Sequence, residues 1–262
     1  MNTSSKNDFM MADAREARTG FLIVVIVHLM LMHIAYFILT ETFQFPEILR
    51  KPPNEMLNKF AATGELNRFA YYLFTLSGLT FALAYLFMGQ SLYRKGYLAT
   101  TGAFFAVLAG LMQALGFGRW VFLVPWIADL PVEKQQEALL ILEAFHRYAG
   151  LLVGENLAFL AHGIGGAFMS VQILKNKSIP QFFGWVGLPI HTLIGIYSLE
   201  QFGGVFSGLG PFNIMIQILW LSWLLFSAIY MFRGRNKVIT LQRRDFGAMA
   251  LVTLILMVSA LG

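Results

Sequence analysis

The sequence predicts an all-α protein, a polytopic transmembrane helical bundle of six to seven spans with its amino terminus in the cytoplasm. Three observations predict it. Hydrophobic residues fill 57% of the 262 positions and charged residues only 13%, against about 25% charged in an ordinary soluble domain. Seven stretches of 17 or more residues carry at most one charge each, and an apolar helix of about 20 residues matches a hydrocarbon core of ~30 Å. Lys and Arg are shared unequally between the two sets of connections, which fixes an orientation.

The predicted spans are residues 20–40, 69–92, 97–117, 148–174, 181–199, 211–232 and 246–262. The first carries no charge over 21 positions and lacks a small-residue cleavage site, so it reads as a retained helix and not a signal peptide. Six are long enough to cross; the last, at 17 residues, sits at the lower limit of ~17 to 25 and either crosses or lies in the interface. Three regions follow: a cytoplasmic amino-terminal segment (1–19), a six-helix bundle (20–232) with outer loops 41–68 and 126–147, and a basic loop with a carboxyl-terminal apolar helix (233–262). In a seven-span arrangement 12 of the 19 basic residues fall on the amino-terminal side, among them Arg15, Arg18, Arg94, Lys95, Lys175, Lys177, Arg233, Arg235 and Lys237. The other side holds Arg50, Lys51, Lys59, Arg68, Arg119, Lys134 and Arg147, and the excess puts the amino terminus inside. Within loop 126–147, Asp129, Pro131 and residues 133–143 predict a helix start and an amphipathic helix running into the fourth span.

Several classes are excluded. With no cysteine there is no disulfide, thiolate metal site or cysteine nucleophile. The net charge of +5 sits at helix ends instead of forming a stripe, so no nucleic-acid partner is expected and membrane lipids are. No Gly-x-Ser-x-Gly elbow supports a serine hydrolase. Only one span break is predicted, at Gly184, Gly187 and Pro189, whereas transporters of inverted repeats carry paired breaks.

An ionisable side chain near the bilayer centre costs ~2.5 to 3.5 kcal/mol on insertion scales, so each requires a partner or a purpose. Glu155 is the outstanding one, about 7 residues into the fourth span and therefore roughly 10 Å below its outer end. Arg119, at the outer end of the third span, is the expected counter-charge. Together with Trp120, Arg147 and Asn156 they make a candidate ligand or proton pocket opening outward, with Glu155 as proton carrier, metal ligand or general base. Trp120, Trp126, Trp185 and Tyr148 also suit the membrane interface, and Glu200 a solvated helix end.

His28, His33, His162 and His191 fall at a common depth, within roughly 5 Å of their span midpoints at helical rise. Neutral imidazoles there could hold a metal or haem. His28 and Met32 share a helix face that soft copper would accept. His28 and His33 are five apart, about 140° around the helix, so at most one faces a given centre. Glu155 and His162, seven apart, share a face. Gly154, Ala158, Ala161 and Gly165 form a small-residue seam that lets another helix approach closely.

Two segments resemble a bacterial family of multi-pass proteins known as domain of unknown function 4386. One is Gln113-Ala114-Leu115-Gly116-Phe117-Gly118-Arg119-Trp120-Val121-Phe122-Leu123-Val124-Pro125; the other runs from Phe145-His146-Arg147-Tyr148-Ala149-Gly150 through Gly154-Glu155 to Phe183-Gly184-Trp185-Val186-Gly187-Leu188 and Glu200. The similarity covers about residues 15 to 230, with the part from Arg233 onward an extension. It implies an inner-membrane helical protein without an established activity and points to Arg119 and Glu155. Three functions are expected as alternatives: an accessory protein holding a small ligand, lipid or proton; a metal- or haem-dependent membrane oxidoreductase, with haem or copper as the cofactor; and a structural or anchor subunit of a larger membrane complex, with a homo-oligomer as a further expected assembly.

Overall fold

The computed structural model describes residues 3–92, 96–176, 179–234 and 241–261. Of the basic residues behind the orientation argument, Arg94, Lys95, Lys177, Arg235 and Lys237 lie outside the described residues. Among the described residues there are nine α-helices and no strand.

Six helical segments are long and apolar enough to cross a membrane: Ala14–Phe43, Gly64–Ser91, Tyr97–Ala128, Val132–Lys175, Phe182–Phe202 and Asn213–Arg233. Large apolar side chains such as Phe37, Phe104, Leu115 and Phe122 lie exposed on their outer faces, as contact with hydrocarbon requires. α1 (Thr3–Phe43) has 41 residues, about 60 Å at helical rise, so it continues well beyond a ~30 Å core. The described part of the polar segment 1–19 is thus the start of the first helix. At that end the buried Arg18 donates to the carbonyls of Ser91 and Gly234, at 3.4 and 2.7 Å. Those carbonyls close two other helices, where a cation is favoured.

The chain then crosses to the opposite, loop-bearing end. A 3-10 turn (Glu47–Arg50) and α2 (Pro53–Ala62) lead into α3 (Gly64–Ser91), which packs between α1 and α4 (Tyr97–Ala128). α5 (Gln135–Phe145) is the amphipathic helix expected after Pro131. It runs into α6 (Ala158–Lys175) through twelve residues of π-helix, His146–Leu157. Sequence periodicity predicts plain α-helix there, and π turns mostly occur singly at functional sites. α7 (Phe182–Tyr197) and α8 (Asn213–Arg233) follow, with 3-10 turns between them. α9 (Arg243–Leu261) packs on α8 and is not among the six spanning segments.

The expected break in the fifth span is absent: α7 runs unbroken through Pro189. Its glycines instead allow close approach, since a Cβ on Gly184 would meet the Ser170 carbonyl at 2.8 Å and one on Gly187 the Trp223 indole at 2.7 Å. Neighbouring helices stabilise a proline-containing span in this way. The small-residue seam is likewise used inside the bundle, where a Cβ on Gly154 would meet Gly116 and one on Gly165 would meet the backbone of Ala106 on α4. This removes the seam as a surface for docking another protein.

Two buried hydrophobic clusters divide the bundle. One joins Phe21, Phe81, Tyr85, Trp220 and Trp223 along the span interiors. The other joins Phe43, Phe60, Tyr71, Phe74, Trp120 and Leu142, so that α2, α5 and the 3-10 turn sit on the ends of α1, α3 and α4. The second cluster makes the loop-bearing end a packed cap, and that cap covers the site.

Candidate functional site

Beneath the cap lies a cavity of about 490 Å³, within the ~300 to 1,000 Å³ usual for small-molecule sites. Tyr71, Phe117, Trp120, Phe159 and Ile214 give it apolar walls; Arg119, Glu155, Glu200, Arg50 and the exposed Glu47 give it charge. Gly150 and Gly154 of the π-helical segment form one side and pack closely on α4, where a Cβ would meet Arg119 and Gly116 respectively.

Glu155 is paired, but with Arg50 and not with the expected Arg119. Its Oε2 lies 2.8 Å from Arg50 Nη2, and the same nitrogen lies 3.3 Å from Glu200 Oε2. Gln201 adds a donor to each acid, at 2.5 Å to Glu155 and 3.3 Å to Glu200. The physical reason is the cap: the turn carrying Arg50 folds over the bundle end and delivers its guanidinium between two acids on different helices. Burial by itself would lower the pKa of Arg50, but the charge of Glu155, its hydrogen bond and the charge of Glu200 together hold it above the ordinary value. Glu200 is therefore no solvated helix end, since its side chain is only 13% exposed.

Arg119 lines the same cavity by a different route. It is 8% exposed and donates through Nη1 to the carbonyl of Gly116, one turn back. Through Nη2 it donates to His146 Nδ1 at 3.3 Å. That contact makes Nδ1 the acceptor, so Nε2 carries the proton and donates to the Leu49 carbonyl at 3.0 Å. Arg119 Nε has no partner among the described residues, and no carboxylate there lies within 4 Å of the guanidinium. Adjacent residues of one turn, Leu49 and Arg50, thus reach the two charged halves of the site.

Trp120, given by sequence to the membrane interface as well as to the pocket, is fully buried and stacks on Tyr71 with centroids 5.0 Å apart. The cap covers it, whereas Trp126, Trp185 and Tyr148 are exposed as expected. Two proposed pocket residues do not line the cavity. Arg147 is 73% exposed and pairs with Glu143, one turn earlier, at 2.5 Å. Asn156 donates to the Ser198 carbonyl at 2.7 Å and ties the π-helical segment to the end of α7. Arg50, Glu200, Gln201, His146 and Tyr71 were not among the predicted site residues. Only the family segment containing His146 and Glu200 could have pointed to any of them.

The histidines divide. His33 faces outward and bonds the Leu29 carbonyl of its own helix at 2.7 Å, so it belongs to no shared site. His28, His162 and His191 are buried around Trp220 and Tyr85, with His162 and His191 ring centroids 5.6 Å apart. His191 is fully engaged: Nδ1 donates to the Gly187 carbonyl at 2.6 Å, and Nε2 accepts from the Tyr85 hydroxyl at 2.7 Å. Tyr85 in turn accepts from the Trp220 indole at 3.1 Å. His28 uses Nδ1 on the Ser77 carbonyl at 3.0 Å. Among the described residues no three His, Asp or Glu side chains are arranged to hold a metal ion, and with His33 facing outward the four histidines do not form one set. Nor does Glu155 join His162, which packs in the aromatic cluster below while Glu155 lines the cavity.

Fold and cavity together define a multi-pass helical membrane protein with a charged cavity capped at one end. The family model described as "Domain of unknown function (DUF4386)" matches residues 19–233, and the chain belongs to that family. No curated protein and no solved structure matches the chain.

Proposed function

We propose that this protein binds a small amphiphilic ligand, a lipid or lipid-like molecule, in the capped cavity, and that it does so at the outer face of a bacterial inner membrane. The carrying observation is the gathering of Arg50, Arg119, Glu155 and Glu200 around one apolar-walled cavity. Charged groups at membrane depth are expensive, and a bundle needing only stability would bury apolar side chains instead. Aromatic walls with a few convergent polar groups are the usual composition of a ligand site. The unequal division of basic residues supports the outer placement of the cap.

The test uses the purified chain in neutral maltoside micelles and a fluorescent fatty-acid analogue. Saturable binding of one probe per protein is expected. It should be lost in Ile214→Trp, which fills the cavity from α8, while the melting temperature is retained. Partitioning that never saturates and ignores Ile214→Trp overturns the reading.

A further inference from the structure

We propose that the ligand of this cavity has an anionic head, a carboxylate or a phosphate, received by Arg119. This deepens the binding reading above and rests on it. Of the three acids that line the cavity, Glu47 is exposed and the other two already have donors: Glu155 has Arg50 and Gln201, and Glu200 has the same two. The cation that lacks a matching acid is Arg119. It is 8% exposed, and two of its guanidinium nitrogens are spent on neutral acceptors, a carbonyl and an imidazole. The Nε–H has no acceptor among the described residues. Nε and Nη2 form the side-on edge of a guanidinium, the edge a carboxylate or phosphate takes with two parallel hydrogen bonds.

Gly150 makes room for the guanidinium itself. A methyl group placed on its Cα would lie 2.6 Å from Nη2, 2.8 Å from Cζ and 3.3 Å from Nε, so a side chain at this position would displace the guanidinium. Gly150 and Arg119 both line the cavity, so the guanidinium lies beside the apolar walls where a tail would lie. Leaving a buried guanidinium without an anion is the costlier alternative. Glu155 and Glu200 do not repel such a head as free charges would, because Arg50 stands between them.

The experiment ranks twelve-carbon probes that share a tail and differ only in the head: dodecanoate, dodecyl phosphate, dodecanol and dodecyltrimethylammonium. Binding is read by competition against the fluorescent analogue in maltoside micelles. The two anions should outcompete the alcohol and the ammonium by about tenfold or more, the scale of a charge-assisted hydrogen bond. Arg119→Gln should erase that preference while leaving alcohol binding in place, and Gly150→Ala should weaken the anions selectively. Should either variant fail to fold, the wild-type ranking still decides. Equal or better binding of the alcohol or ammonium overturns the anionic head but leaves the cavity a binding site. Failure of all four probes to displace the analogue, or no saturable binding at all, overturns the binding reading itself. Phosphatidic acid in nanodiscs, set against free dodecanoate, distinguishes a membrane lipid from a free acid as the source of the head group.

Discussion

Replacing Arg50 with Met should loosen the cap more than any other single change in an exposed loop residue. The side chain is 44% exposed, while the acids it joins are 17% and 13% exposed. Removing one partner of a buried ion pair costs ~3–5 kcal/mol, and a fully exposed pair is worth ~0–1. Here two nearly buried carboxylates lose their cation but keep the Gln201 amide, and the guanidinium was half in water, so a loss of about 2 kcal/mol is expected. At ~2–4 °C per kcal/mol for a chain of this size, the melting temperature should fall by ~4–8 °C. Thermal unfolding in neutral micelles measures it, with Lys51→Met, an exposed neighbour outside the ion-pair network, as control. A second readout is clean because the chain has no cysteine. Ile48→Cys, at a position 4% exposed, should react slowly with maleimide in the otherwise wild-type protein and faster when Arg50→Met is added. Adding Glu155→Gln and Glu200→Gln to Arg50→Met should restore part of the lost stability, because neutral amides need no cation. If Arg50→Met melts within a degree of Lys51→Met and leaves the Ile48→Cys rate unchanged, the ion pairs do not hold the cap.

Gly116→Ala should destabilise by ~1–3 kcal/mol through overpacking, since its Cβ would lie 2.7 Å from the Gly154 Cα; Gly118→Ala, which meets nothing within 4 Å, should leave the melting temperature unchanged. Tyr85→Phe deprives His191 Nε2 of its donor and the Trp220 indole of its acceptor, each a buried loss of ~1–3 kcal/mol, so its melting temperature should fall well below that of the outward-facing His33→Phe. Orientation is tested with single cysteines in intact cells. A membrane-impermeant maleimide should label Lys134→Cys directly and Lys175→Cys only after permeabilisation, and the reverse pattern would place the cap in the cytoplasm.

The spans were legible because hydrocarbon thickness imposes one simple rule on about twenty consecutive residues. α5 was legible too, since Asp129, Pro131 and an amphipathic run mark a helix start with local chemistry. Glu155 stood out by its cost, but its partner did not. Arg50 lies 105 residues away in sequence, in a loop that hydropathy treats as solvent. Trp120 was hidden for the same reason, because a window average sees the bilayer and not a cap folded over the bundle end. The π-helical segment has no compositional mark at all: His146 to Leu157 would suit an ordinary helix, and only the packing of α5, α4 and the end of α7 around it decides otherwise.

That segment explains why the cavity is where it is. A continuous α-helix from α5 into α6 would carry one regular small-residue face past α4 and close against it. Twelve residues of π geometry widen the backbone and change the phase at which side chains leave it. Gly150 and Gly154 then face Arg119 and Gly116, while Glu155 reaches toward the turn that carries Arg50. His146, where the segment begins, accepts from Arg119 and donates to Leu49. The irregular helix therefore touches both charged halves of the site and the cap that covers them. A change at either guanidinium has a direct route to the turn at residues 47–50, because Leu49 and Arg50 are neighbours in the chain and answer to different charges.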